Sequence, residues 1–145
     1  MKKFRGFTIV EVLVVIAIIG ILAAVGVPAY QDYVMRGKLT EAFTGLADFR
    51  VRMEQFYQDQ RRYDGGGLTG CGAAAPNSKY FTFNCDPGAA PSQTYTAYAK
   101  GIVTQGMTGF EYQLNEKNEP KTNGVGTGWS GTGNACWVRR KDGAC

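Results

Sequence analysis

Histidine is absent from the 145-residue sequence. Without an imidazole, no Ser-His-Asp triad, Cys-His dyad or His-Glu-x-x-His zinc site can be assembled, which excludes most hydrolytic chemistry. The four cysteines, Cys71, Cys85, Cys136 and Cys145, include no Cys-x-x-Cys pair, so the usual ligand spacing of structural zinc is missing. Glu111, Glu116 and Glu119 lack calcium-loop spacing and read as solvated strand-end charges. Gly126, Gly128 and Gly131 match Gly-x-Gly-x-x-Gly by letter, yet no apolar strand leads into them and no helical pattern follows. They read as a glycine-rich surface loop. Asn-x-Ser/Thr sequons are missing as well. A large charge of one sign is also lacking. The formal net charge is +4, and without Lys2, Lys3 and Arg5 thirteen basic residues face 12 acidic ones, which by itself is no argument for nucleic acid. These absences predict a chain that is not an enzyme and carries no metal and no cofactor.

What the chain has is a long apolar run. Between residues 7 and 29 only Thr8 and Glu11 are polar, and as a helix rising about 1.5 Å per residue this stretch is long enough to span a bilayer core. An ionisable residue in such a helix is costly and marks a functional site by default, so Glu11 is a candidate. The bland alternative is an interfacial carboxylate that stays wet. Ahead of the run stand six residues, basic at Lys2, Lys3 and Arg5 and ending in Gly6. A secretory signal carries its small-residue cleavage site after the apolar stretch, whereas the candidate site here, between Gly6 and Phe7, lies before it. Cutting there keeps the apolar helix and creates an α-amino group on Phe7, one turn from Glu11. Such an amine is mostly cationic at neutral pH and is a partner for a buried carboxylate.

From residue 30 to 60, apolar positions at Tyr33/Val34, Leu39, Ala42/Phe43, Leu46, Phe49, Met53 and Phe56/Tyr57 recur at helical spacing. The opposite face carries Arg36, Lys38, Glu41, Asp48, Arg52, Glu54 and Asp59, read as solvated. Gly37 and Gly45 read as tolerated costs. Pro28 predicts a kink or an unwound stretch. The simplest structure is one long bent helix over residues 7–60 with its apolar half protruding, stopped by Gly65, Gly66 and Gly67. Three alternating runs follow at 80–85, 93–103 and 110–115, with a short fourth strand expected at 135–140 and turn chemistry across 122–134. Strands after a helix read as an antiparallel sheet folded on the helix's apolar stripe, an α+β head with disulfide-closed loops. The domain reading is therefore leader 1–6, hydrophobic helix 7–29, amphipathic continuation 30–60 and head 61–145. Four cysteines in an exported chain allow three pairings. Cys71 with Cys85 and Cys136 with Cys145 is the favoured one, because each bond tethers an irregular loop to a strand.

Gly6, Phe7, Thr8, Ile9, Val10 and Glu11, followed by Pro28 and the segment from Tyr30 to Tyr33, resemble the class III signal and N-terminal helix of type IV pilins. The match is strongest over residues 1–60. The resemblance implies cleavage after Gly6 by prepilin peptidase, N-methylation of Phe7, and assembly through Glu11 and Pro28 into a filament core. It also implies residence in the inner membrane of a Gram-negative-type bacterium, then in an extracellular pilus. The partners implied are other pilin subunits, the inner-membrane assembly machinery and a DNA, host or surface ligand. The segment from Arg52 to Tyr63 resembles the minor-pilin group that includes DNA-uptake receptors of competence systems. Arg139, Arg140 and Lys141, beside Trp137, form a basic cluster that could contact phosphate, extended by Lys79, Lys100, Lys117 and Lys121. Such a cluster on a surface loop is more often plain solubility. The main reading is a structural filament subunit of the minor type. The alternatives are a DNA-binding competence pilin and a type II secretion pseudopilin.

Overall fold

The structure is a computed structural model that describes residues 7–65 and 70–145. Its elements in chain order are helix α1 (Ile9–Gln60) and strands β1 (Phe81–Asp86), β2 (Thr96–Gly101), β3 (Glu111–Asn115) and β4 (Pro120–Gly124), with a 3-10 turn at Val103–Gln105 between β2 and β3. The leader (residues 1–6), with Gly6 of the cleavage site, lies outside the described residues, as do Gly66 and Gly67. Two compact units are present, the first ending at Met35 and the second comprising Arg36–Cys145.

In the first unit every residue from 7 to 31 is exposed. Leucine, isoleucine and valine side chains cover its whole circumference, so no stripe selects a side for burial. The helix runs through Pro28 without interruption, and the unwound stretch expected there is not found. One missing N–H costs a single bond of the ladder, and the bonds before and after it carry the helix on. Tyr33 and Val34, expected on the apolar stripe, are also exposed.

In the second unit the stripe begins at Leu39 and buries Ala42, Phe43, Leu46, Phe49 and Met53. The helix stops at Gln60 because Arg61 adopts a left-handed conformation (φ 56°) while its N–H still donates to the Tyr57 carbonyl. This places the stop ahead of the glycine run expected to supply it. The sheet is antiparallel throughout in the order β1-β2-β3-β4. Phe81, Phe83 and Cys85 of β1, Ala97 and Ala99 of β2, and Tyr112 and Leu114 of β3 face the helix side and are buried, while Thr82, Asn84 and Asp86 are exposed. One long helix packed on a four-stranded antiparallel sheet is thus the fold.

The fourth strand is Pro120–Gly124, not 135–140. Sequence alternation misses β4 because only Thr122 in it is buried and its first residue is proline, a composition suited to an edge. Residues 133–134 cover that edge, with the Thr122 N–H donating to the Asn134 carbonyl at 2.9 Å and the Gly133 N–H to the Thr122 carbonyl at 2.7 Å. Segment 135–140 needs no ladder because side chains satisfy its backbone. Thr122 Oγ1 donates to the Cys136 carbonyl (2.6 Å) and accepts from the Val138 N–H (3.0 Å), and the Tyr112 hydroxyl donates to the Val138 carbonyl (3.0 Å). Disulfides join Cys71 to Cys85 and Cys136 to Cys145.

Candidate functional site

At the start of α1, Thr8 and Glu11 bond reciprocally. The Thr8 N–H and hydroxyl donate to Glu11 Oε2 at 2.8 and 2.9 Å, and the Glu11 N–H donates to Thr8 Oγ1 at 3.2 Å. This is a capping box, in which two helix-end donors that would otherwise be orphaned are satisfied by side chains. The carboxylate also sits at the positive end of the helix dipole. Thr-x-x-Glu before an apolar run is its sequence signature, and reading Glu11 only as a charge in need of a cation overlooks it. Phe7, immediately before the box, is 87% exposed.

Three residues assigned to the solvated face of α1 instead bond to the head. Glu41 Oε2 accepts from Ser78 Oγ (2.6 Å) and the Lys79 N–H (3.3 Å), Lys38 Nζ donates to the Gln105 carbonyl (3.1 Å), and Glu54 accepts from the Tyr63 hydroxyl (3.1 Å). Asp48 and Arg52 remain on the surface as an i,i+4 ion pair at 2.8 Å. Burial pushes the Tyr63 hydroxyl up to about 12, and the bond to Glu54 adds to the effect. Burial likewise raises Tyr95 and Tyr112 above the ordinary phenol range.

The second candidate surface is the loop closed by Cys136–Cys145. The Arg139 N–H donates to the Ala144 carbonyl (2.8 Å), and the Gly143 N–H to the Arg140 carbonyl (3.1 Å). Val138, fully buried, anchors the loop, while Arg139, Arg140 and Lys141 are all exposed. The Phe43 ring faces two of the loop's side chains. Trp137 stacks on it at 5.2 Å between centroids, and the Arg139 guanidinium lies 5.2 Å from its centroid. Trp137 Nε1 donates to the Gln113 carbonyl at 3.0 Å. Beside Arg139 lies an open groove of about 310 Å³ lined by Arg36, Thr40, Phe43, Thr44 and Ala47. Lys79 precedes β1 and Lys100 lies on β2, away from the β4 edge that the C-terminal segment covers.

A long helix with an apolar, exposed first part, laid on an antiparallel sheet and closed by two disulfides, is pilin architecture. The crystal structure of the Neisseria meningitidis non-core minor pilin PilV resembles it with a TM-score of 0.53 at 18% identity, covering 66% of this chain and 93% of that one, a likeness of fold alone. The fimbrial protein EcpC of Eikenella corrodens is 37% identical over 106 residues, 72% of this chain and 69% of that protein. Prepilin peptidase-dependent protein D of Escherichia coli K12 is 35% identical over 142 residues, 90% of this chain and 83% of that protein. A family model for the prokaryotic N-terminal methylation motif matches residues 1–27, and one described as type IV minor pilin ComP, DNA uptake sequence receptor, matches residues 28–109. The chain belongs to this last family and is a minor pilin of the type IV pilus.

Proposed function

We propose that this minor pilin enters filaments through the apolar part of α1, with Glu11 as the residue that selects assembly. It is made with leader 1–6, cut between Gly6 and Phe7 by prepilin peptidase and methylated on the Phe7 nitrogen. The inner membrane of a Gram-negative-type cell holds it until the assembly machinery transfers it to an extracellular pilus. The observation that carries this reading is the uninterrupted exposure of residues 7–31 on a helix that matches the N-terminal methylation motif. So large an apolar surface requires lipid or other apolar helices around it. The head is the structural part, and its cysteines are consumed in disulfides.

In the free subunit, Thr8 supports the Glu11 carboxylate from one side through Oε2, so the residue is tolerable in the membrane before assembly. Once helices bundle and water is removed, the charge needs a cation, and the Phe7 amine of a neighbouring subunit supplies it. Losing one partner of a buried pair costs about 3–5 kcal/mol. Glu11→Gln keeps the shape and removes the charge. The variant is expected to be exported, cut and folded, but to stay in the membrane fraction and be depleted from filaments by at least tenfold. Incorporation at the wild-type level would reduce Glu11 to a helix cap.

A second reading has its own observation. The family description names a DNA receptor, and this chain presents Arg139, Arg140 and Lys141 beside Trp137 and Phe43. DNA bound there would contact phosphate through the cations. Full-length protein in detergent is expected to bind duplex DNA with an affinity that falls steeply with salt, and the triple alanine variant to lose both affinity and slope. Salt-independent binding, or none at low ionic strength, contradicts this second reading and leaves the first intact.

A further inference from the structure

Within the second unit, two lysines converge on one aromatic ring. Lys38 Nζ lies 5.0 Å and Lys79 Nζ 5.5 Å from the centroid of Tyr80. Among the described residues, neither lysine is held in an ion pair. The nearby Glu41 turns its Oε2 to Ser78 Oγ and the Lys79 N–H instead. Lys38 also holds the Gln105 carbonyl at 3.1 Å, fixing the 3-10 turn whose first residue, Val103, is 68% exposed. Thr104 and Gly106 beside it are exposed too. Two cations, a half-buried tyrosine and an exposed valine make up one small surface.

We propose that this surface rests on anionic phospholipid headgroups while the subunit waits in the membrane. The chemistry matches an interfacial anchor. Lysine ammoniums meet lipid phosphate, and a tyrosine ring occupies headgroup depth. Chain continuity supplies the proximity, because Lys38 follows Ala29, the last residue of the apolar run, on the same helix. The inference rests on the reading that this run lies in a bilayer before assembly. Contact with the leaflet restrains the head in the unassembled subunit, and extraction into a filament breaks it.

The test uses the full mature chain reconstituted in nanodiscs of phosphatidylcholine or of phosphatidylcholine with phosphatidylglycerol, followed by amide hydrogen exchange. Each lysine near an anionic surface is worth about fivefold in the contact equilibrium. The amides of residues 102–107 are therefore expected to exchange at least fivefold more slowly in the anionic discs. The difference should vanish in 0.5 M salt and fall about fivefold in Lys79→Gln, which leaves the Lys38 bond to the turn in place. Val103→Asp should also abolish it. Equal exchange in the two lipids, slowing unaffected by Lys79→Gln, or slowing confined to residues 139–141 overturns the inference while leaving the membrane reading standing. A chain that fails to enter discs of either kind overturns both.

Discussion

Thr122 shows how a single residue holds the C-terminal loop. Its hydroxyl is fully buried, donates to the Cys136 carbonyl and accepts from the Val138 N–H, so it stands where a strand ladder would otherwise be needed. Thr122→Val keeps the shape and strands both backbone groups. A loss of about 1–3 kcal/mol in urea unfolding of the oxidised protein is expected, and Thr122→Ser should restore most of it. The three buried tyrosines set the alkaline limit. Their folded-state pKa values are raised, so the folded head holds the phenol protons more tightly than the unfolded chain does. Stability is unaffected by them below about pH 10 and falls as pH rises from there through 12. Unfolding free energies measured at pH 8, 10 and 11.5 should show that fall, and Tyr63→Phe should make it shallower. At this scale the sequence is legible where chemistry is local. Thr8 and Glu11 announce their capping box by spacing alone, whereas the Thr122 contacts join residues 14 and 16 positions apart that only the folded head brings together.

Along α1, two glycines that look alike in sequence play different parts. A Cβ on Gly37 would meet nothing within 4 Å, whereas one on Gly45 would collide with the Phe83 ring of β1. Gly37→Ala should therefore stabilise the head by about 1 kcal/mol through helix propensity. Gly45→Ala should destabilise it by about 1–3 kcal/mol by pushing the sheet from the helix. Thermal unfolding of the two variants side by side separates them, and a common shift for both would contradict the packing of β1 on α1. The helical stripe from Leu39 to Met53 and the first three strands are readable from periodicity because each has one dry face. β4 is not readable because it lies at an edge, buries only Thr122 and owes its pairing to β3 on one side and to residues 133–134 on the other. The glycine run after residue 64 suggests a helix stop, but Arg61 makes the stop with its own left-handed backbone, a cost that sequence reasoning assigns to glycine.

The whole chain serves two solvents. From residue 7 to 31 it offers an apolar surface with no core behind it, and from Arg36 it builds a disulfide-closed head with a dry interior. A short secretory signal would be discarded after export, whereas here the processing site proposed ahead of the run retains it as the assembly element. The family assignment fixes the role as a minor type IV pilin, and the route proposed for this subunit into the filament is its N-terminal helix. The most direct test is intact-mass spectrometry with subunit quantification on filaments sheared from cells. The expected result is a chain that begins at Phe7, carries one added methyl and two disulfides, and is present in the filament as a minority species. A filament-associated chain that retains residues 1–6, or a mature chain found in the membrane fraction and never in filaments, would contradict it.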